Sequence, residues 1–191
     1  MKTVLKWICL VILLAAVVWM AAGNRSGSAV QTIYRDTDGN GYQEKYRLAD
    51  HQLRIYENDR LIWQSPQEWT IRQICLADAD NDKQTELVMV VWKHGSFGNA
   101  KPFWFKGPDN EYTCHLFLYR MVSGRLKEVW CSSALVNPII EMKVEDSNQD
   151  GLNELNVVEG PRAGFAYSLR QLFHRQETTW IWDSWGFKRL D

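Results

Sequence analysis

From residue 31 onward, apolar and polar residues alternate in short runs, and no stretch carries the 3.6-residue period of an amphipathic helix. The runs recur in a fixed order. A first alternating stretch appears at Ile33, again at Ile71, Ile74 and Leu76, and again at Ile140, Met142 and Val144. Each is followed by an acidic loop and then by a second apolar stretch: Tyr46 and Leu48; Leu87 to Val91; Leu155, Val157 and Val158. Beyond it the spacing predicts a hairpin, Leu53–Tyr56 into Leu61–Trp63, Leu116–Tyr119 into Val129–Trp130, and Ser168–Phe173 into Trp180–Trp182. Each unit closes on Trp-x-Ser, at Trp63, Trp130 and Trp182. The expectation is an all-β domain over residues 31–191, built from three four-stranded units at about 31–66, 67–135 and 136–191.

The loops repeat more closely than their flanks. They read D-T-D-G-N-G-Y-Q-E from Asp36, D-A-D-N-D-K-Q-T-E from Asp78 and D-S-N-Q-D-G-L-N-E from Asp146. Oxygen-bearing side chains stand at positions 1, 3, 5 and 9: Asp36, Asp38, Asn40, Glu44; Asp78, Asp80, Asp82, Glu86; Asp146, Asn148, Asp150, Glu154. Alternate residues of a tightly wound loop point at one centre, and calcium takes six to eight oxygens of this kind. Glycine at position 6 suits a left-handed turn, and Gly41 and Gly151 supply it, while Lys83 stands there in the second loop. Up to three calcium ions are expected, best held at the third and first loops. A helix-flanked EF-hand is excluded, because its position 12 falls on Arg47, Met89 and Val157 and the flanks are strands. An ion-free Asp/Asn/Gly turn is the simpler reading of any one loop; three in register favour the ion.

Strand, D-x-[DN]-x-[DN]-G-x-x-E, strand and hairpin resembles the FG-GAP or integrin-α-like repeat over residues of about 30 to 190. The resemblance implies four-stranded, β-propeller-like blades with calcium on the twelve loop residues named above. The Phe-Gly-Gly-Ala-Pro-type signature is not evident. Three units are fewer than the four to eight blades that close a propeller, so the expected fold is an open or compact array.

Residues 1–23 depart from this pattern. Lys2 and Lys6 precede an uncharged run from Trp7 to Ala22, then Ala21-Ala22-Gly23. This reads as an N-terminal hydrophobic helix, either a signal peptide or a signal anchor, with 24–30 as a polar linker. The domain is therefore expected outside the cytoplasm, secreted or held at a membrane. In that compartment a Cys114–Cys131 disulfide across the Ser123-Gly124 turn is permitted, and free buried thiols are an equal expectation.

Charge adds one refinement. There are 22 basic and 23 acidic residues, a net charge of −1, which argues against nucleic acid as a partner. Ten of the 23 acidic residues lie in the three loops, so the rest of the body is mildly basic. The partner this suggests is a cell-envelope protein or polysaccharide; oligomeric state is left open.

An insertion at 92–115 lengthens the middle unit and carries Trp92, His94, Phe103, Trp104, Tyr112 and His115 as candidate ligand-binding residues. The alternative expectation is that its aromatics fold back over a sheet edge. No nucleophile elbow or zinc spacing accompanies His94. The expected function is a non-enzymatic, calcium-stabilised binding or scaffold module. The alternative is an extracytoplasmic hydrolase or carbohydrate-processing enzyme using the insertion.

Overall fold

A computed structural model describes residues 30–161 and 175–190. The expected leader and almost all of the linker lie outside the described residues. What is described is all β, with twelve strands in three antiparallel four-stranded sheets. The first sheet is β1 (Gln31–Arg35), β2 (Glu44–Ala49), β3 (Gln52–Glu57) and β4 (Arg60–Gln64). The second is β5 (Thr70–Ala77), β6 (Glu86–His94), β7 (Tyr112–Val122) and β8 (Arg125–Cys131). The third is β9 (Ile139–Glu145), β10 (Glu154–Glu159), β11 (Gln176–Asp183) and β12 (Gly186–Arg189). Each sheet is a meander in chain order, the arrangement that short hairpin connections produce.

The sheets stack, and the second lies in the middle. Tyr46, Leu53 and Ile55 of the first sheet share a core with Ile71, Met89, Val91 and Phe117 of the second. The other face of the second sheet, Val88, Val90, Leu116 and Leu118, shares a core with Ile139, Met142, Leu155 and Val157 of the third. Among the described residues no apolar cluster joins the third sheet to the first. This explains the continuous apolar run Leu87 to Val91: a strand buried on both faces has no polar side to alternate with. Each fully buried Leu, Val or Ile contributes about 1.5–3 kcal/mol relative to exposure.

Polar side chains join the first strands of neighbouring sheets. The Gln73 amide donates to the carbonyl of Met142 at 2.8 Å and accepts its N–H at 3.0 Å. The Gln31 amide donates to the carbonyl of Ile74 at 3.2 Å.

Two expectations need correction. In the first two sheets the Trp-x-Ser serine follows the fourth strand, and its hydroxyl accepts the N–H of Leu53 or Leu116. In the third, Trp182 lies on the third strand, which pairs directly with β10, and a fourth strand, 186–189, follows. Ser184 there sits in a turn, at φ 59°. The expected strand partner 168–173 lies outside the described residues. Second, Ile139 rather than Ile140 is buried, because the register shifts between Val158 and Glu159. Of the two alternatives left for the cysteines, the free thiols are what the structure has, at Cys75, Cys114 and Cys131. A bulge between Leu118 and Tyr119 sets Cys131 opposite Phe117. Cys114 belongs to the core with the third sheet, and Cys131 packs against the core with the first, on the opposite face.

Candidate metal centres

Each acidic loop bridges the first two strands of its sheet, and all three wind in the same way. Positions 4 and 6 are left-handed throughout: Gly39, Asn81 and Gln149 at φ 63–72°, then Gly41, Lys83 and Gly151 at φ 72–90°. Lys83 therefore adopts a backbone conformation that costs an L-residue about 1–2 kcal/mol.

The hydrogen bonds repeat as well. The position-1 aspartate, Asp36, Asp78 or Asp146, accepts the N–H of position 6 at 2.9 Å. The position-3 side chain accepts the N–H of position 5, at 2.8–3.2 Å. The position-5 side chain accepts the N–H of position 7, at 2.8–2.9 Å. The position-9 glutamate, Glu44, Glu86 or Glu154, accepts the N–H of position 2 at 2.8–2.9 Å. These glutamates open the second strand of each sheet and are 0–2% exposed.

Three carboxylates converge in each loop: Asp36, Asp38 and Glu44; Asp78, Asp80 and Glu86; Asp146, Asp150 and Glu154. In each set, one oxygen from every residue lies within 4.8 Å of the others. These groups have the geometry to hold a metal ion. Like charges this close repel unless a cation lies among them.

The loops differ in what supplies positive charge. In the first, Glu44 Oε1 is buried and has no hydrogen-bond partner, a costly state for a carboxylate oxygen unless a cation meets it. Glu44 Oε2 accepts the Thr37 hydroxyl at 2.7 Å, and that hydroxyl lies 2.6 Å from the Tyr46 hydroxyl. Burial holds the Tyr46 phenol far above its usual pKa. Asp38 Oδ2 accepts the N–H of Gly124, from the β7–β8 turn, at 2.8 Å. Asn40, expected to face the centre, turns its Nδ2 outward to Glu57 at 2.8 Å.

In the third loop, Asn148 donates from Nδ2 to Asp150 and to Glu154, each at 3.0 Å. Among the described residues no basic side chain pairs with the first or the third loop. Both therefore have the donor type and the unbalanced charge to hold a metal ion.

The second loop is different. Arg120, on β7, is the register partner of Glu86. Its Nε donates to Glu86 Oε1 at 2.8 Å, and its terminal nitrogen pairs with Glu86, with Asp80 at 3.1 Å and with Asp82 at 2.8 Å. Burial raises the pKa of both Asp80 and Glu86, and the guanidinium works against that rise. Asp78 Oδ1 is buried without a hydrogen-bond partner. The loop is also clamped to the third: Asn81 and Asn153 exchange bonds at 2.7 and 3.1 Å, and Asn153 donates to the Asp78 carbonyl at 2.8 Å.

Sequence reading missed Arg120, Glu57 and Gly124. Arg120 did leave a signal, as the lone charge in the apolar run Leu116 to Val122.

The insertion splits its candidate residues. Trp92, His94 and Tyr112 gather on one face of the second sheet, with the Tyr112 ring 5.5 Å from Trp92 and 5.2 Å from His94. His94 meets the Asn110 carbonyl at 2.9 Å, not a carboxylate. His115 is fully buried on the opposite face, beside Phe117. Its ring nitrogens contact the Ser132 carbonyl at 3.0 Å and, on the other side, Thr113 Oγ1 at 2.8 Å and the Gly95 carbonyl at 3.0 Å. Burial lowers its pKa. Phe103 and Trp104 pair edge to face at the loop tip, 88% and 70% exposed. The start of the loop docks on the β8 edge: Ser96 accepts the N–H of Ala134 at 2.7 Å, and Asn99 donates to Glu128 at 2.7 Å. The six residues thus fall in three separate places. No protein-family model and no curated protein matches this chain.

Proposed function

We propose that the chain is an extracytoplasmic, calcium-stabilised β-repeat module of the FG-GAP or integrin-α-like kind. It is secreted or held at a membrane by its N-terminal segment, and it binds or scaffolds a cell-envelope protein or polysaccharide. The observation that carries the reading is the buried, partnerless Oε1 of Glu44 among converging carboxylates in a loop whose backbone scheme occurs three times. A loop wound only as a turn has no use for that oxygen. Calcium fits because the donors are hard oxygens and no histidine or thiolate joins them. An ion at such a place ties the first two strands of a sheet together and stabilises only the folded state. Thermal melting of the full chain in calcium and in chelator tests the reading. A higher melting temperature in calcium is expected, and identical curves without bound calcium would overturn it.

A further inference from the structure

Three loops share one backbone, yet among the described residues only one has an arginine in it. The register accounts for the difference. The residue paired with the position-9 glutamate across the second and third strands is Glu57 in the first sheet and Arg120 in the second. In the third, the pairing of β10 with β11 begins at Leu155, one residue past Glu154. Among the described residues only the second sheet therefore aims a cation at its loop.

The fit is close. The guanidinium contacts Asp80, Asp82 and Glu86, three of the four carboxylates in the loop. The arginine side chain is 15% exposed, so its stem is packed rather than free to swing into solvent. A calcium ion bound there would take the same oxygens at about 2.3–2.6 Å, and would lie against a fixed positive charge at a separation where like charges repel strongly. Asp78 Oδ1 remains partnerless, as Glu44 Oε1 does in the first loop, but here the other three carboxylates already share a cation.

We propose that Arg120 is the resident cation of the second loop, so that the chain binds calcium at its first and third loops and not at its second. This rests on the calcium reading above and replaces the sequence expectation of up to three ions. It gives the arginine a definite task. The second loop must keep its shape without metal because Asn81 and the Asp78 carbonyl hold Asn153 of the third loop. A covalently attached cation keeps that support in place at any calcium concentration.

The test is calcium stoichiometry of the full chain by native mass spectrometry at saturating calcium. Two ions per chain are expected, and Arg120→Gln should raise the count to three. Glu57→Arg, which sets an arginine opposite Glu44, should lower it to one and keeps the idea testable if Arg120→Gln fails to fold. Three ions on the unaltered chain would overturn the proposal, as would an unchanged count in a folded Arg120→Gln protein or in Glu57→Arg. No ions on the unaltered chain would overturn the calcium reading itself and the proposal with it.

Discussion

Glu44 and Glu57 are register partners on β2 and β3, so two carboxylates face each other beside the first acidic loop. Glu57 finds a donor in Asn40; Glu44 Oε1 finds none. The pair concentrates negative charge at one end of the first sheet, where a cation would offset it.

Glu44→Gln separates the fold from the ion. Glutamine retains an oxygen for the Thr37 N–H and replaces a buried charge with a neutral amide. In chelator the variant should melt at or above the unaltered chain, since an uncompensated buried charge is gone. In calcium it should lose the stabilisation from that site, about 2.7 kcal/mol at a hundredfold excess over Kd. Equal calcium shifts in the two proteins would contradict the assignment.

Gly151 supplies the left-handed turn of the third loop at φ 90°, with open space where a Cβ would stand. Gly151→Ala therefore meets backbone strain alone. A loss of about 1–2 kcal/mol is expected from denaturant unfolding, and a change under 0.3 kcal/mol would show that the loop rewinds.

Cys75, Cys114 and Cys131 should be inert in the folded state. Burial pushes Cys75 and Cys131 up to about 12 and Cys114 up to about 11, and the thiolate is the reactive form. Iodoacetamide at pH 8 should label none of the three before denaturation and all three after it. Mass spectrometry of native and denatured samples reads the difference directly.

His115 gives the fold a sensitivity to acid. Its pKa lies below the ordinary value because of burial, so protons bind more readily to the unfolded chain. Stability is then full above about pH 6.5 and declines as pH falls below it, by no more than about 1.4 kcal/mol per unit from this one group. Melting in saturating calcium at pH 7.5 and 5.5 should show a drop that His115→Asn reduces. Parallel curves would exclude a contribution from His115.

How much of this was legible in the sequence followed distance along the chain. The acidic loops are local: nine residues fix their winding, and side-chain types at alternate positions announce it. Hairpins in the first two sheets were legible for the same reason. What failed or stayed open depended on register. The symmetric placing of Cys114 and Cys131 about their turn permitted a disulfide without deciding it, and one bulge sets Cys131 opposite Phe117 and puts the thiols on opposite faces. Trp182 carried the same motif as Trp63 and Trp130 on a different strand of its sheet, because a motif does not record how many strands precede it. The arginine of the second loop lies 34 residues beyond Glu86, and only strand pairing reveals that they meet.

The central sheet has a further consequence. Along β6, Leu87, Met89 and Val91 face one core while Val88 and Val90 face the other. A slip of β6 by one residue exchanges these sets, so it would misfit two interfaces at once where the same slip in an end sheet misfits one. Wrong pairings of the middle hairpin are thereby penalised twice, and the outer layers inherit their alignment from it. Energetically the molecule is a short chain of nearest neighbours: a fault in an end sheet loosens one junction, while a fault in β6 breaks the link between them.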